Sequence, residues 1–295
     1  MHIRLFSCLL LVAACFGCIS DYKGDYPLSE QVPVVNGVLF ADSAIAVNLS
    51  WSGHPDQKNF KPITDASVEV LEDGQSIGEA TVTEKGVYRF NHIAQASTHY
   101  SLNVQLPGRE AISAATTIPS KPAINCTQTD DRHIVELDIS NINDTIHAFY
   151  ILMFYKYHLN DEWEQEDGIY CNSILVDPCN RALDTSGPAN LIYLHDMLIR
   201  CPAENFINKA GTLTISAFSG AKYSRIYILS ATKAFDLYFK AAFWQRYYDP
   251  NIQLPFTYQA IHLPSNVEGS PGIFAGTDVT YFEFLPEDDE NTSEE

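Results

Sequence analysis

The chain has 295 residues, of which 46% are hydrophobic and 12% aromatic, so it has enough apolar side chains for packed cores and is unlike a disordered protein. Its formal net charge is -19, which disfavours binding to the phosphate backbone of a nucleic acid. The length without an N-terminal leader predicts one large or two ordinary domains.

The first seventeen residues have the pattern of a secretory leader. A short cationic start, Met1 to Arg4, precedes an apolar run from Leu5 to Ala14 that is too short to cross a bilayer as a stable helix. A cysteine then follows small residues, which resembles a bacterial lipoprotein signal. In such signals the thiol is alkylated with diacylglycerol and becomes the new N-terminus. The resemblance implies an exported protein that is held in a membrane by lipid.

Two cysteines are candidates for lipidation. Cys15 follows the small residues Val-Ala-Ala, which the signal peptidase requires beside the scissile bond. Cys18 gives a more usual leader length and lies just before the polar segment 20–25. Either cysteine could carry the lipid. The alternative is an ordinary secretory leader that contains cysteines and is not lipidated. We place the leader at residues 1–17 and a polar tether at residues 18–31.

Residues 32–119 predict a first β-domain. Apolar residues alternate with polar ones in several short runs, for example at Ile45, Val47 and Leu49, and Asp73-Gly74 is a typical hairpin turn. About seven strands at this spacing are typical of a β-sandwich of immunoglobulin-like or transthyretin-like type.

The prolines at 119 and 122 indicate an extended linker, which we place at residues 120–124. Residues 125–286 predict a second, mostly β domain with one amphipathic helix at about 231–247, where aromatic residues repeat at three- and four-residue spacing. Residues 287–295 predict a disordered acidic tail. The predicted fold is therefore mainly β, with two β-sandwich domains and one helix in the second.

Several segments, in order along the chain, resemble the domain-of-unknown-function family 4249. They are Val34 to Leu39, Pro62 to Val68, Glu72 to Gly74, Tyr100 to Val104, Thr116 to Pro119, Ser265 to Gly269 and Gly272 to Gly276. The similarity covers most of residues 18–286, although residues 158–210 depart from it. Members are outer-membrane lipoproteins of diderm bacteria, often encoded beside TonB-dependent transporters, and no activity is established for them. The resemblance implies an outer-membrane location, at the periplasmic face or the cell surface, and such a transporter as a partner.

Four cysteines lie in the second half of the chain, and an even number in an exported protein favours disulfide bonds. Cys171 with Cys179 would close a short loop, and Cys126 with Cys201 would join the start of this half to its middle, although all three pairings remain open. None of the cysteine and histidine spacings typical of zinc sites occurs around these four cysteines, so the sequence predicts no zinc site, and it predicts no cofactor.

The acidic stretch around Trp163 is the most site-like feature. Asp161, Glu162, Glu164 and Glu166 offer the carboxylate oxygens that calcium prefers, and Trp163 offers a ring on which a sugar could stack. The regular spacing of a calcium loop is missing, so a solvated loop or hairpin tip is the alternative.

The common nucleophile, zinc-protease and phosphate-binding motifs do not occur in the sequence. We therefore expect a non-catalytic binding or accessory protein of the cell envelope, with a glycan or peptide as ligand. One alternative is a structural or adhesive surface lipoprotein without a small ligand. The other is a hydrolase whose residues are dispersed in sequence, which converging carboxylates or histidines in the structure would favour.

Overall fold

The computed structural model describes residues 30–53, 59–129, 134–166, 168–171, 173–177, 181–183, 193–196, 198–217, 221–247 and 262–285, and every structural statement below concerns these residues. The predicted leader, Cys15, Cys18 and the predicted acidic tail lie outside them. Within the described part of the chain, no helix is both long and apolar enough to span a membrane.

The described residues form twenty strands and one α-helix. In chain order the strands are β1 (Pro33–Phe40), β2 (Ala44–Trp51), β3 (Ser67–Glu72), β4 (Gln75–Ser76), β5 (Ala80–Val82), β6 (Val87–Ile93), β7 (His99–Gln105), β8 (Ile112–Thr117), β9 (Ala123–Gln128), β10 (Ile134–Ser140), β11 (Ala148–Lys156), β12 (Glu164–Gln165), β13 (Gly168–Cys171), β14 (Arg181–Leu183), β15 (Tyr193–Asp196), β16 (Ile199–Pro202), β17 (Gly211–Ala217), β18 (Tyr223–Ala231), β19 (Val267–Glu268) and β20 (Gly272–Phe284). Helix α1 (Lys233–Tyr247) follows β18, and two short 3-10 turns, Ala203–Asn205 and Ile207–Lys209, follow β16.

The strands form three sheets. The long sheet has nine strands in the order β12-β11-β18-β20-β1-β2-β6-β5, with β16 also paired to β11. A six-stranded sheet has the order β14-β15-β13-β17-β10-β9, and a five-stranded sheet the order β19-β8-β7-β3-β4. Strand β1 pairs with β20 in parallel, from Val35 opposite Gly272 to Phe40 opposite Thr277. The first and last described strands therefore lie side by side within the long sheet.

Two large cores lie on one face of the long sheet. The first joins β1, β2 and β6 to the five-stranded sheet through buried residues such as Val35, Val47 and Leu102, and it includes Phe274 of β20. The second joins β11, β16 and β18 to the six-stranded sheet through residues such as Phe149. Burial of these apolar side chains is the main source of stability.

The opposite face of the long sheet is covered by helix α1. Because neighbouring residues of a strand point to opposite faces, Tyr150 of β11 and Ala275 of β20 pack with Phe235 and Phe239 of the helix in a third cluster. Strand β11 is thus buried on both faces over its first half, which explains its nearly continuous apolar sequence.

The mainly β class is confirmed, and the predicted helix is the one α-helix among the described residues. The helix begins two residues later than predicted, at Lys233, and the hydroxyl of Thr232 accepts a 3.5 Å hydrogen bond from the Phe235 amide, as expected for an N-cap. The two separate sandwich domains are not confirmed. The described residues from Val32 onward form one compact unit, and the long sheet contains strands from both predicted domains.

The chain just after β8 lies close to β20 at Gly276. A side-chain carbon at Gly276 would lie 2.9 Å from the Cα atom of Ile118, so only glycine fits without displacing that backbone. Two residues further on, Asp278 is 1% exposed, and neither of its carboxylate oxygens has a hydrogen-bond partner among the described residues. The ammonium of Lys121 lies 3.9 Å from Asp278 Oδ1 and 2.6 Å from Asp42 Oδ2.

Candidate functional site

An aromatic surface lies on the helix-covered face of the long sheet, further along the strands than helix α1. Its side chains come from β11, β18, β20 and the residue before β12. We call it the aromatic platform, and it consists of Phe154, Lys156, Trp163, Arg225, Tyr227, Tyr281 and Glu283.

Strand register brings these side chains together. Tyr227 of β18 lies directly opposite Tyr281 of β20, and Arg225 lies directly opposite Glu283. On the other side of β18, Phe154 of β11 is the partner of Arg225. Residues two apart on a strand share a face, so the Tyr227–Tyr281 and Arg225–Glu283 pairs project from the same side of the sheet.

The rings of Tyr227 and Tyr281 are stacked, with centroids 5.6 Å apart and planes inclined by 30°. Phe154 contacts Tyr227 edge-on at 5.4 Å, which supports that ring from the side. Tyr281 is 59% exposed and lies beyond Thr277, the last residue of β20 that pairs with β1. It therefore presents an aromatic surface to solvent on a preformed support.

Arg225 is held among these rings by several contacts. Its Nε and Nη2 atoms donate to Glu283 Oε2 at 3.1 and 2.5 Å, and its Nη1 donates to the Tyr227 hydroxyl at 3.1 Å. Its guanidinium carbon lies 5.7 Å from the centre of the Tyr281 ring. Partial burial works against the charge, but the hydrogen bonds outweigh it and raise the pKa of Arg225. The guanidinium is thus a fixed donor beside the exposed ring.

The Trp163 ring of the platform is in contact with two cationic side chains. The Arg225 guanidinium carbon lies 4.3 Å from its ring centre and the Lys156 ammonium 4.8 Å, both within cation–π distance. The Trp163 side chain that the sequence suggested for stacking on a sugar is thus already occupied. Tyr281 is the exposed ring instead, and its only sequence signal was the strand-like run of residues 279–285 at the end of the predicted second domain.

The predicted calcium ligands do not converge. Asp161 Oδ2 accepts a hydrogen bond from the His158 amide at 2.9 Å, and Glu164 Oε2 accepts one from the Tyr155 hydroxyl at 3.0 Å. Glu162 is exposed, whereas Glu166 is buried. The described residues contain no group of three or more acidic, histidine or cysteine side chains that could hold a metal ion.

A buried ionic network lies where helix α1 begins. Arg200 of β16 donates from Nε and Nη2 to the two carboxylate oxygens of Asp236, each at 2.7 Å, and from Nη1 to Asp177. Tyr150 donates its hydroxyl to Asp236 Oδ1 at 2.7 Å, and Lys240 of the helix donates to Asp177 Oδ2 at 2.9 Å. The network links the helix to β11 and β16.

Burial alone would raise the pKa of Asp236, but the hydrogen bonds from Arg200 and Tyr150 outweigh it and lower that pKa. Burial, followed by the charge of Asp236, raises the pKa of Tyr150. The lowered pKa of Asp236 and the raised pKa of Tyr150 indicate an ionised carboxylate between the Arg200 guanidinium and a neutral phenol.

His147 adds a histidine at the edge of this network. Its Nδ1 atom lies 2.7 Å from Asp236 Oδ2, and its side chain is 41% exposed. Carboxylates and a histidine therefore do converge, as the hydrolase alternative requires. Among the described residues, however, no hydroxyl or thiol is hydrogen-bonded to the His147 ring, so the nucleophile of a catalytic triad is not identified. The hydrolase reading stays a prediction.

The described part of the chain contains no disulfide bond, so the predicted Cys126–Cys201 pair is not formed. Cys126 belongs to the six-stranded sheet and Cys201 to the long sheet, and both are buried in the second core. Burial raises the pKa of Cys126 to about 12 and that of Cys201 well above its ordinary value. Cys171 is buried in the same core, and Cys179 lies outside the described residues.

The fold and this surface define a mainly β protein with an exposed aromatic platform on its longest sheet. The chain belongs to the family described as "Domain of unknown function (DUF4249)", whose model matches residues 19–283. A search of curated proteins finds no match to the chain.

Proposed function

We propose that the protein is a lipid-anchored, non-catalytic binding or accessory protein of the cell envelope. In this proposal Cys15 or Cys18 holds it in the outer membrane, on the periplasmic face or at the cell surface. It assists a TonB-dependent transporter in capturing a nutrient, which is a glycan or a peptide. The two large cores then mark two sandwich-like halves that share the long sheet.

The aromatic platform is the observation that supports ligand capture. Tyr281 is 59% exposed, and its ring stacks on Tyr227. Because the side chain is already ordered by this contact, a ligand that binds it causes little further loss of conformational entropy. Exposed aromatic residues with a neighbouring arginine are typical of the centres of binding surfaces.

The buried ionic network supports the non-catalytic part of the proposal. Both Asp236 oxygens already accept hydrogen bonds from Arg200, which ties the network to helix packing. A proton-transfer role would need a reacting group within hydrogen-bond distance of His147.

Anchoring is tested by labelling cells with radioactive palmitate and by mass spectrometry of the mature N-terminus. We expect label in the wild type, and loss of label together with release from the membrane in the Cys15→Ala or the Cys18→Ala variant. A soluble, unlabelled protein with its first residues intact would contradict the proposal. Mass spectrometry then identifies which cysteine is modified.

The transporter and ligand parts need separate measurements. Co-purification from gently solubilised membranes should recover a TonB-dependent transporter, and its repeated absence would contradict that partnership. Glycan and peptide arrays probed with the full-length protein should show saturable binding. Blank arrays of both kinds would instead favour a structural or adhesive surface lipoprotein.

A further inference from the structure

We propose that the aromatic platform binds a neutral oligosaccharide chain, with Tyr281 as its stacking surface. This inference rests on the proposed function as a ligand-capture protein and names the class of ligand.

The Tyr281 ring fits the apolar face of a sugar. One side of a pyranose ring presents several C–H groups, and the electron-rich face of an aromatic ring attracts such weakly positive hydrogens. Tyr281 is 59% exposed and is stacked against the neighbouring Tyr227 ring at 5.6 Å, which limits its orientation. Stacking on it needs no rearrangement of the protein.

The Arg225–Glu283 pair fits the hydroxyl rim of a sugar. Both side chains project from the same face as Tyr281, and Glu283 lies two residues further along β20, which corresponds to about 7 Å. A guanidinium offers several planar donors, and a carboxylate offers acceptors for a donating hydroxyl. A hydroxyl both donates and accepts, so adjacent sugar hydroxyls can bind both members of the pair.

The charges around the platform favour a neutral ligand. The positive charge of Arg225 is paired with Glu283 at 2.5 Å, and Lys156 lies over Trp163 and donates to the Leu159 carbonyl at 2.6 Å. An anionic chain would also meet a protein of formal net charge -19, and a cationic one would find the Glu283 carboxylate already paired with Arg225. A neutral polyol needs no partner of opposite charge.

The platform lies on the face of a sheet, and Tyr281, Glu283 and Arg225 are spread along two strands. One sugar ring on Tyr281 leaves its other side in water, so we expect weak binding of monosaccharides and tighter binding of chains that reach Tyr281 and the polar pair together.

The test uses the full-length protein in detergent and a panel of neutral polysaccharides, namely dextran, xylan, mannan and galactan. Alginate and polygalacturonate serve as acidic polysaccharides, and a peptide array is probed in parallel. Affinity electrophoresis and titration calorimetry measure binding. We expect at least one neutral polysaccharide to bind, with a tenfold or greater loss in Tyr281→Ala and less than a threefold loss in Tyr281→Phe, which keeps the ring.

Phe60→Ala is the matched control, because Phe60 is 52% exposed but lies beside β2, outside the platform. It should bind like the wild type, and circular dichroism should show that all three variants are folded. Neutral glycan binding that is unchanged in Tyr281→Ala would overturn the site. Binding of peptides or acidic polysaccharides alone would overturn the ligand class but leave the proposed capture function standing. Absence of every kind of binding would overturn both.

Discussion

Arg200 forms two parallel hydrogen bonds with Asp236, from Nε to Oδ1 and from Nη2 to Oδ2, and both measure 2.7 Å. The side chain of Asp236 is 1% exposed and that of Arg200 is 9% exposed, so the pair is almost fully removed from water. Burial removes the hydration of both charges. The two parallel hydrogen bonds must offset that loss, which they can do only in this well-aligned geometry.

Removing one partner of this pair should therefore be costly. We expect Arg200→Met to lower the free energy of unfolding by about 3 to 5 kcal/mol, because Asp236 would stay buried without its main partner. The double variant Arg200→Met/Asp236→Leu should lose less than the sum of the two single variants, since both charges of the pair are then removed and Asp177 keeps its hydrogen bond from Lys240. Urea denaturation followed by circular dichroism measures all three.

The control for this prediction is Lys209→Ala. Lys209 also forms an ion pair, with Asp144, but their side chains are 57% and 93% exposed. Water screens such a pair, so the urea midpoint should not move. Equal losses for Lys209→Ala and Arg200→Met would show that burial does not decide the effect.

Asp278 should make stability depend on pH. Burial raises its pKa above the ordinary 3.8, Lys121 acts in the opposite direction, and Asp42 acts in the same direction as burial. In the window between the ordinary pKa and the raised one, the folded state binds more protons than the unfolded state, so stability falls as pH rises. The penalty of the buried carboxylate is thus complete at neutral pH and is relieved in acid.

The variant Asp278→Asn removes this titration. We expect it to raise the free energy of unfolding at pH 7 by on the order of 1 kcal/mol relative to the wild type, since a buried amide costs less than a buried carboxylate. Melting curves of both proteins between pH 4 and pH 8 should converge toward the acidic end. A difference that stays constant across this range would contradict the assignment.

Local sequence patterns predicted individual strands and the helix well, because these elements depend mainly on residues that are close in sequence. The alternation of Ile45, Val47 and Leu49 gave β2, and the aromatic repeat gave helix α1, which begins at Lys233. The parallel pairing of β1 with β20 joins residues more than 200 positions apart, and no short pattern specifies such a partner. For this reason the sequence suggested two sequential domains where the structure has one shared sheet.

The candidate site also depends on strand pairing that short sequence patterns do not specify. Trp163 stood out because it lies in a conspicuous acidic stretch, but its contacts with Arg225 and Lys156 depend on the pairing of separate strands. The two-residue repeat of a strand places Tyr281 and Glu283 on one face once that strand is assigned. It could not indicate that Tyr227 would stack against Tyr281, because that depends on the register of β18 against β20.

The shared sheet predicts that residues 32–119 do not fold alone. This fragment lacks β19 and β20, which supply Val267 and Phe274 to the first core. It would also expose the edge of β1 that pairs with β20, and unpaired edges favour aggregation. We expect an aggregated or loosely packed fragment without a cooperative melting transition. A soluble fragment with a sharp transition would instead support an independent N-terminal domain.

The cysteines allow a direct test of the second core. Burial raises the pKa of Cys126 to about 12, and Cys201 is 0% exposed, so both should be protonated thiols that alkylating reagents reach slowly. We expect iodoacetamide, followed by peptide mass spectrometry, to label neither residue in the native protein and both in urea without a reducing agent. A linked Cys126–Cys201 peptide pair, with labelling in urea only after reduction, would instead show the disulfide suggested by the sequence and contradict this packing of the two sheets.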